Sequence, residues 1–271
     1  NNERAVPISI STPDLTPVAL GAMSNNVAFY PPSPQRPTVA VSWAVTNTGT
    51  WSTGAGLWQD AVYLSANTTL DATALLLGRT QRPRPLGTNE GYAGSLTATL
   101  PKGLSGPRYF IVVADADNRV NEGVFENDNA TASVPVMVTL TSPPDLRVAA
   151  IQAPSNALSG ASLAVSWTVT NAGPGMTAET AWVDDVYLSA TRVLGTNAVL
   201  LGSFPHDGVL TNGSSYNSSA PIRLPISLSG TFFLLVHTDA RSNVFEHVFE
   251  TNNVSASAAA NAFGRSVDAA S

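Results

Sequence analysis

The stretch Trp182 to Ala190, Trp-Val-Asp-Asp-Val-Tyr-Leu-Ser-Ala, has a near twin at Trp58 to Ala66, Trp-Gln-Asp-Ala-Val-Tyr-Leu-Ser-Ala, an offset of 124 positions. The same offset relates Val41-Ser42-Trp43 to Val165-Ser166-Trp167, Leu76-Leu77-Gly78 to Leu200-Leu201-Gly202, and Leu104-Ser105-Gly106 to Leu228-Ser229-Gly230. It still holds where Glu122 to Asn129 is matched by Glu246 to Asn253. A register kept without slippage over so long a span is an internal duplication, and two copies of one domain are expected.

In a chain of 271 residues, two domains of about 120 each are large enough to bury separate cores. Hydrophobic residues make up 44% and charged residues 12%, with 20 Gly and 19 Pro between segments rich in Val, Thr, Leu and aromatics. Short strands separated by turns follow from that balance. The net charge of −6 leaves no basic surface for phosphates, which argues against nucleic acid. No cysteine is present, so disulfides and thiolate chemistry are excluded. No apolar run reaches the ~20 residues of a membrane-spanning helix, and no membrane insertion is expected. The opening Asn1-Asn2-Glu3, without Met or signal sequence, reads as a processed product or an excised fragment.

Residues 1–12 precede the first copy, and in them Val6, Ile8 and Ile10 alternate with Pro7, Ser9 and Ser11. This predicts a lone strand that Pro7 confines to an edge. Nothing in front of the second copy matches it. The copies open at Pro13-Asp14-Leu15 and Pro144-Asp145-Leu146, an offset of 131, so the first carries seven extra residues, placed within Asn25 to Pro37 as a surface loop. Val39, Val41, Trp43 and Val45, like Leu163, Val165, Trp167 and Val169, recur at period two, as a strand in a two-sheet sandwich does. On the next strand Asp60 and Asp184 share an apolar face, where an acid must sit at the rim or find a partner. Tyr109 to Val113 and Phe232 to Val236 are continuous apolar runs suited to central strands. Val134 to Val138 reads as a last strand before a stiff Thr141-Ser142-Pro143-Pro144 linker, and residues 258–271 as a tail or linker stub.

Each copy, from Pro-Asp-Leu through Val-Ser-Trp, Asp-X-Val-Tyr-Leu-Ser, Leu-Leu-Gly and Leu-Pro to the closing Glu-X-Val-Phe-Glu, resembles the CARDB family, the cell-adhesion-related domain found in bacteria. The resemblance implies an all-β chain of two tandem immunoglobulin-like β-sandwich domains, over 13–142 and 143–257, of the kind strung together in secreted or cell-surface proteins. It implies no catalytic activity. The second copy departs where Asp71 is matched by Gly195 and Asp117 by Arg241.

The duplication also tests candidate chemistry. His206, His237 and His247 align with Arg82, Val113 and Gly123, so no histidine belongs to a shared site and no triad is formed. The acids that do recur are Asp60/Asp184, Asp115/Asp239, Glu122/Glu246 and Glu126/Glu250. Asp115, Glu122, Glu126, Asp239, Glu246 and Glu250 fall on an expected hairpin between the last two strands of each copy, at one pole of the sandwich, and are candidate calcium ligands, since Ca²⁺ takes six to eight oxygens. The competing reading is that Asp and Asn shape turns through bonds to the backbone while Glu and Asn dress a solvated loop. Trp51, Trp58, Phe29 and Tyr30 are candidates for a sugar platform, although the recurrence of Trp58 as Trp182 favours a core role for it.

The chain is therefore read as a non-catalytic, secreted or cell-surface structural or adhesive protein that binds protein partners or copies of itself. The sharpest version has Val6, Ile8 and Ile10 adding as a strand to a neighbouring subunit and so building a filament. The alternative is a polysaccharide-binding accessory module of a secreted hydrolase. No cofactor is expected apart from the calcium candidate.

Overall fold

A computed structural model describes residues 4–20, 26–29, 38–54, 56–82, 84–257 and 261–264. The chain divides into two compact units, the first ending at Leu140 and the second taking up the chain from Thr141. Both are all-β, and among the described residues helical geometry is limited to single 3₁₀ turns at Gly123–Phe125 and His247–Phe249.

In the first unit the strands are β1 (Leu15–Leu20), β2 (Asn26–Phe29), β3 (Thr38–Asn47), β4 (Trp58–Ser65), β5 (Leu75–Arg82), β6 (Gly91–Thr99), β7 (Gly106–Val113), β8 (Ala130–Ala132) and β9 (Val136–Leu140). One sheet runs β1-β3-β6, and the other runs β2-β9-β7-β4-β5 with β8 beside β7. The second unit repeats this with β10 (Leu146–Gln152), β11 (Asn156–Leu158), β12 (Ser162–Asn171), β13 (Ala181–Ser189), β14 (Val199–Asp207), β15 (Ser215–Arg223), β16 (Gly230–His237), β17 (Val254–Ala256) and β18 (Asn261–Gly264). Its sheets run β10-β12-β15 and β11-β18-β16-β13-β14, with β17 beside β16.

The cores are made by the period-two faces. Val39, Val41, Trp43 and Val45 point inward from β3, and Leu163, Val165, Trp167 and Val169 from β12, each at most 6% exposed. Trp58, Val62 and Leu64 close the first core from the opposite sheet, as Trp182, Val186 and Leu188 close the second. Trp58 is 1% exposed, a core residue and no part of a sugar platform. The apolar runs form β7 and β16, which lie inside their sheets as expected.

The ends of the copies differ from the sequence expectation. Residues 4–14 form no strand, and Val6, Ile8 and Ile10 are 71%, 83% and 82% exposed. A strand exists only with a partner, and among the described residues the backbone bonds of this segment begin at Thr12. Asn26–Phe29, placed by the sequence in a loop, is a strand parallel to β9. The rest of that loop, with Tyr30, lies outside the described residues. Asn261–Gly264, expected in a tail, is β18, antiparallel to β16 and parallel to β11. It fills in the second unit the place β9 holds in the first.

Candidate functional site

Three of the four recurrent pairs of acids lie on the segment between β7 and β8 and its twin between β16 and β17. Asp115 stands at a left-handed backbone position (φ 47°) two residues after the end of β7, and Asp239 repeats it after β16 (φ 48°). The Asp115 carboxylate accepts the backbone N–H groups of Arg119 and Val120 at 2.9 and 2.7 Å, and Asp239 accepts those of Asn243 and Val244 at 2.9 Å each. Glu126 accepts the N–H of Glu122, and Glu250 that of Glu246, both at 2.8 Å. Four of the six calcium candidates thus fold the turn they lie on.

Glu122 and Glu246 join this turn to the first strand. Glu122 is wholly buried, and its two oxygens accept the Leu15 N–H at 2.8 Å and the Asn129 side-chain amide at 3.1 Å. Glu246 accepts the Leu146 N–H and the Asn253 amide, both at 2.6 Å. Burial pushes the carboxyl of Glu122 up to about 7 and that of Glu246 up to about 8, outweighing these hydrogen bonds. Burial likewise raises Asp115 and Asp239 to about 6.

In neither unit do its three candidates form one group of ligand atoms among the described residues. What the first unit does bring together is Asp14, Glu122 and Asp128, each with an oxygen within 4.8 Å of the others. At the matching place in the second unit Asp145 is paired with Arg147 at 2.6 Å and accepts the Asn252 amide at 3.0 Å. The second copy has thus replaced one acid by an amide and added a cation, whereas the first keeps three acids.

A second set of shared residues lies in the core. Asp60 is 2% exposed and accepts the indole N–H of Trp43 at 2.8 Å and the Tyr92 hydroxyl at 2.6 Å. Asp184 repeats this with Trp167 at 2.7 Å and Tyr216 at 2.6 Å. The partner required by an acid on an apolar face is a tyrosine on the opposite sheet. Arg82 lies 4.0 Å over the Tyr92 ring, and its counterpart His206 stacks 3.8 Å from Tyr216. His206 is therefore a packing residue, which burial pushes toward its neutral form.

Sequence reasoning passed over Tyr92, Tyr216 and the side-chain role of Asn47 and Asn171. Asn47 is buried, accepts the N–H groups of Asp14 and Gly49, and donates to the Trp51 carbonyl at 2.8 Å. Asn171 repeats the arrangement with Asp145, Gly173 and Gly175. The available signal was their recurrence at the same 124-residue offset. The Asp117/Arg241 departure also has a local cause. Arg241 pairs at 2.8 Å with Asp185, which stands where the first unit has Ala61. Burial raises the Asp185 carboxyl, but hydrogen bonds from Arg241, Ser203 and Tyr187 outweigh it and hold the group below the usual range.

Trp51 is 62% exposed. The Phe29 side chain and Tyr30, the other platform candidates, lie outside what is described. An open groove of about 320 Å³ in the second unit is lined by Ala164, Val165, Ser166, Ser219, Ala220 and Pro221, a lining with no acid, base or histidine.

The CARDB family profile matches residues 12–133 and 143–257. A crystal structure of the CARDB domain of a Pyrococcus furiosus protein, described in complex with di-metal ions, is 18% identical, with 44% of this chain and 88% of that one covered and a TM-score of 0.33. A solution structure of the same domain is also 18% identical, covering 46% and 100%, with a TM-score of 0.35. Red sea bream transglutaminase is 10% identical over 96% of this chain and 32% of its own, with a TM-score of 0.29. No curated protein matches the chain.

Proposed function

The chain belongs to the CARDB family through two tandem copies, and from that premise we propose that it is a non-catalytic structural or adhesive unit whose copies join by strand addition. CARDB is a non-catalytic domain family whose members are typically extracellular or at the cell surface, and we place this chain there with them. No described helix is long and apolar enough to cross a membrane.

The observation that carries strand addition is the N-terminal segment. Val6, Ile8 and Ile10 are all more than two-thirds exposed, at a spacing that puts their side chains on one face of any strand they join. Exposed aliphatic side chains in strand register gain most by pairing with an open sheet edge, where backbone hydrogen bonds supply affinity and alternate side chains supply specificity. Light scattering across a concentration series tests this. The full chain is expected to grow in mass with concentration, and a chain lacking residues 1–12 to stay monomeric. Equal assembly by both chains, or by neither, overturns the proposal.

A further inference from the structure

Besides the three-residue strands β8 and β17, each sandwich leaves four strand edges among its described residues, and an unguarded edge is a template for any extended chain. Seven of the eight carry a recognised guard. β1 has Pro17 and a register shift beside it, and β10 has Arg147 and the equivalent shift. β2 and β11 are only four and three residues long. β5 carries Arg79 and Arg82, and β14 carries Pro205 and Asp207. β15 carries Pro221 and Arg223.

The exception is β6, Gly91–Thr99, with nine residues of sequence Gly-Tyr-Ala-Gly-Ser-Leu-Thr-Ala-Thr. It has no proline and no charge, and it pairs with β3 without a register shift. Thr97 and Thr99 occupy the positions where the twin strand has Pro221 and Arg223. Behind this edge Leu77, Tyr92 and Leu96 are half-buried and packed on the core.

The N-terminal segment has matching chemistry. In a strand the N–H and C=O of one residue point to the same side, and that side alternates along the chain. If Val6, Ile8 and Ile10 turn their backbones to an acceptor, Pro7 faces away, so its missing N–H costs nothing and closes the new edge to further pairing. Reaching β6 of the same chain is a different matter. Thr12 is held by the N–H groups of Thr50 and Trp51 on its carbonyl, and β1 is at the opposite edge of the β1-β3-β6 sheet. Crossing three strands spaced ~4.8 Å apart uses at least about four residues, which places Ile8 and Ile10 in the crossing and not in the pairing.

Resting on the strand addition proposed above, we infer that the acceptor is the β6 edge of the first unit of a second copy, and that the second unit is barred from this role by Pro221. The joint is heterologous, head to tail, and repeats along a filament unless one partner is blocked.

The test uses three full-length chains in sedimentation velocity: the parent, Thr97→Pro, and the double variant Ile8→Lys with Ile10→Lys. Thr97→Pro imports a residue the twin strand already accommodates. Thr97→Lys, which keeps the backbone N–H and adds a guarding charge, serves if the proline variant loses its β-sheet circular dichroism. The parent is expected to form a concentration-dependent ladder of species and each variant to sediment as a monomer. An equimolar mixture of the two variants is expected to give a dimer and nothing larger, because one intact donor meets one intact acceptor. Assembly of both Thr97 variants at the parent's level, with loss only in the Ile8/Ile10 variant, overturns β6 as acceptor and leaves strand addition standing. A mixture that stays monomeric overturns the pairing of these two segments, and a parent that never assembles overturns both readings.

Discussion

The Glu122 carboxylate accepts the backbone N–H of Leu15 at 2.8 Å, across 107 positions of the chain, and Glu246 holds Leu146 in the same way at 2.6 Å. Each contact ties the first strand of a sandwich to the turn that precedes its last strands. Leu15 and Leu146 are wholly buried, so without the carboxylate their N–H groups have no water to turn to. Glu122→Ala is expected to destabilise the first unit by at least about 2 kcal/mol, the order of a buried hydrogen bond lost together with a stranded donor. Urea unfolding followed by tryptophan fluorescence measures it. A change below about 0.5 kcal/mol means the contact does not hold the strand.

The same carboxylates give the protein a pH dependence opposite to that of ordinary acid denaturation. Glu122 and Glu246 titrate near 7 and 8 in the folded chain because burial favours the neutral form, whereas an unfolded glutamate titrates near 4.3. Between those values the folded state binds more protons, so stability falls as pH rises and levels off above about 8. Burial depresses His206 and His237, whose contribution runs the other way but only below about pH 6.5. The clean window is therefore pH 6.5 to 8.5. Tm is expected to drop by at least about 2 °C across it, and the drop to shrink in Glu122→Gln. A Tm that climbs with pH contradicts this assignment.

How much of this was legible follows from which interactions leave a mark on the sequence. The paired faces of β3 and β12 were readable because burial on one side imposes period two, and Trp58 because its twin at Trp182 repeats a strand pattern. Asp60 announced that it needed a partner, but Tyr92 lies 32 positions away on a strand whose residues are mostly small or half-exposed. Only the fold brings the two together. β18 left no mark, since Asn261–Gly264 is recruited by backbone pairing in an Ala- and Ser-rich stretch. The N-terminal segment was read as a strand from side-chain alternation, which cannot say whether a partner is present. Asp115 was readable as an acid that shapes a turn through the backbone, but Glu126 was expected on a solvated loop, and its bond to the Glu122 N–H exists only once the turn has folded.

The buried Asp60 knot makes a further prediction. Tyr92→Phe removes one of two side-chain donors from a carboxylate that is 2% exposed, and Tyr216→Phe does the same to Asp184 at 1%. Each is expected to cost about 1.5–3 kcal/mol, as a hydrogen bond to a charged group does. Asp60→Asn should cost less, because an amide oxygen can still accept from Trp43 without a buried charge. Denaturant midpoints of the three variants give the order, and an Asp60→Asn chain less stable than Tyr92→Phe refutes it.

The two cores fill one volume by different means. In the first unit Leu96 lies against Gly78, where an added Cβ would stand 3.0 Å from it, and the Trp43 ring covers Gly94. In the second, Ala220 replaces Leu96 and Ser218 replaces Gly94, while Phe204, in place of Thr80, covers Gly202 and packs 5.2 Å from Trp167. Volume removed from β15 has been restored from β14 across the sandwich. A Cβ at Gly94 would meet the Trp43 ring at 2.3 Å. Gly94→Ser alone is therefore expected to cost about 1–3 kcal/mol, although serine is what the twin tolerates. Leu96→Ala alone should cost about 2 kcal/mol through the space it opens. With Thr80→Phe added, the triple variant is expected to lose at least about 1 kcal/mol less than the three single losses combined, since contacting residues couple. Additive losses in urea unfolding would mean that the two cores are filled independently at these positions.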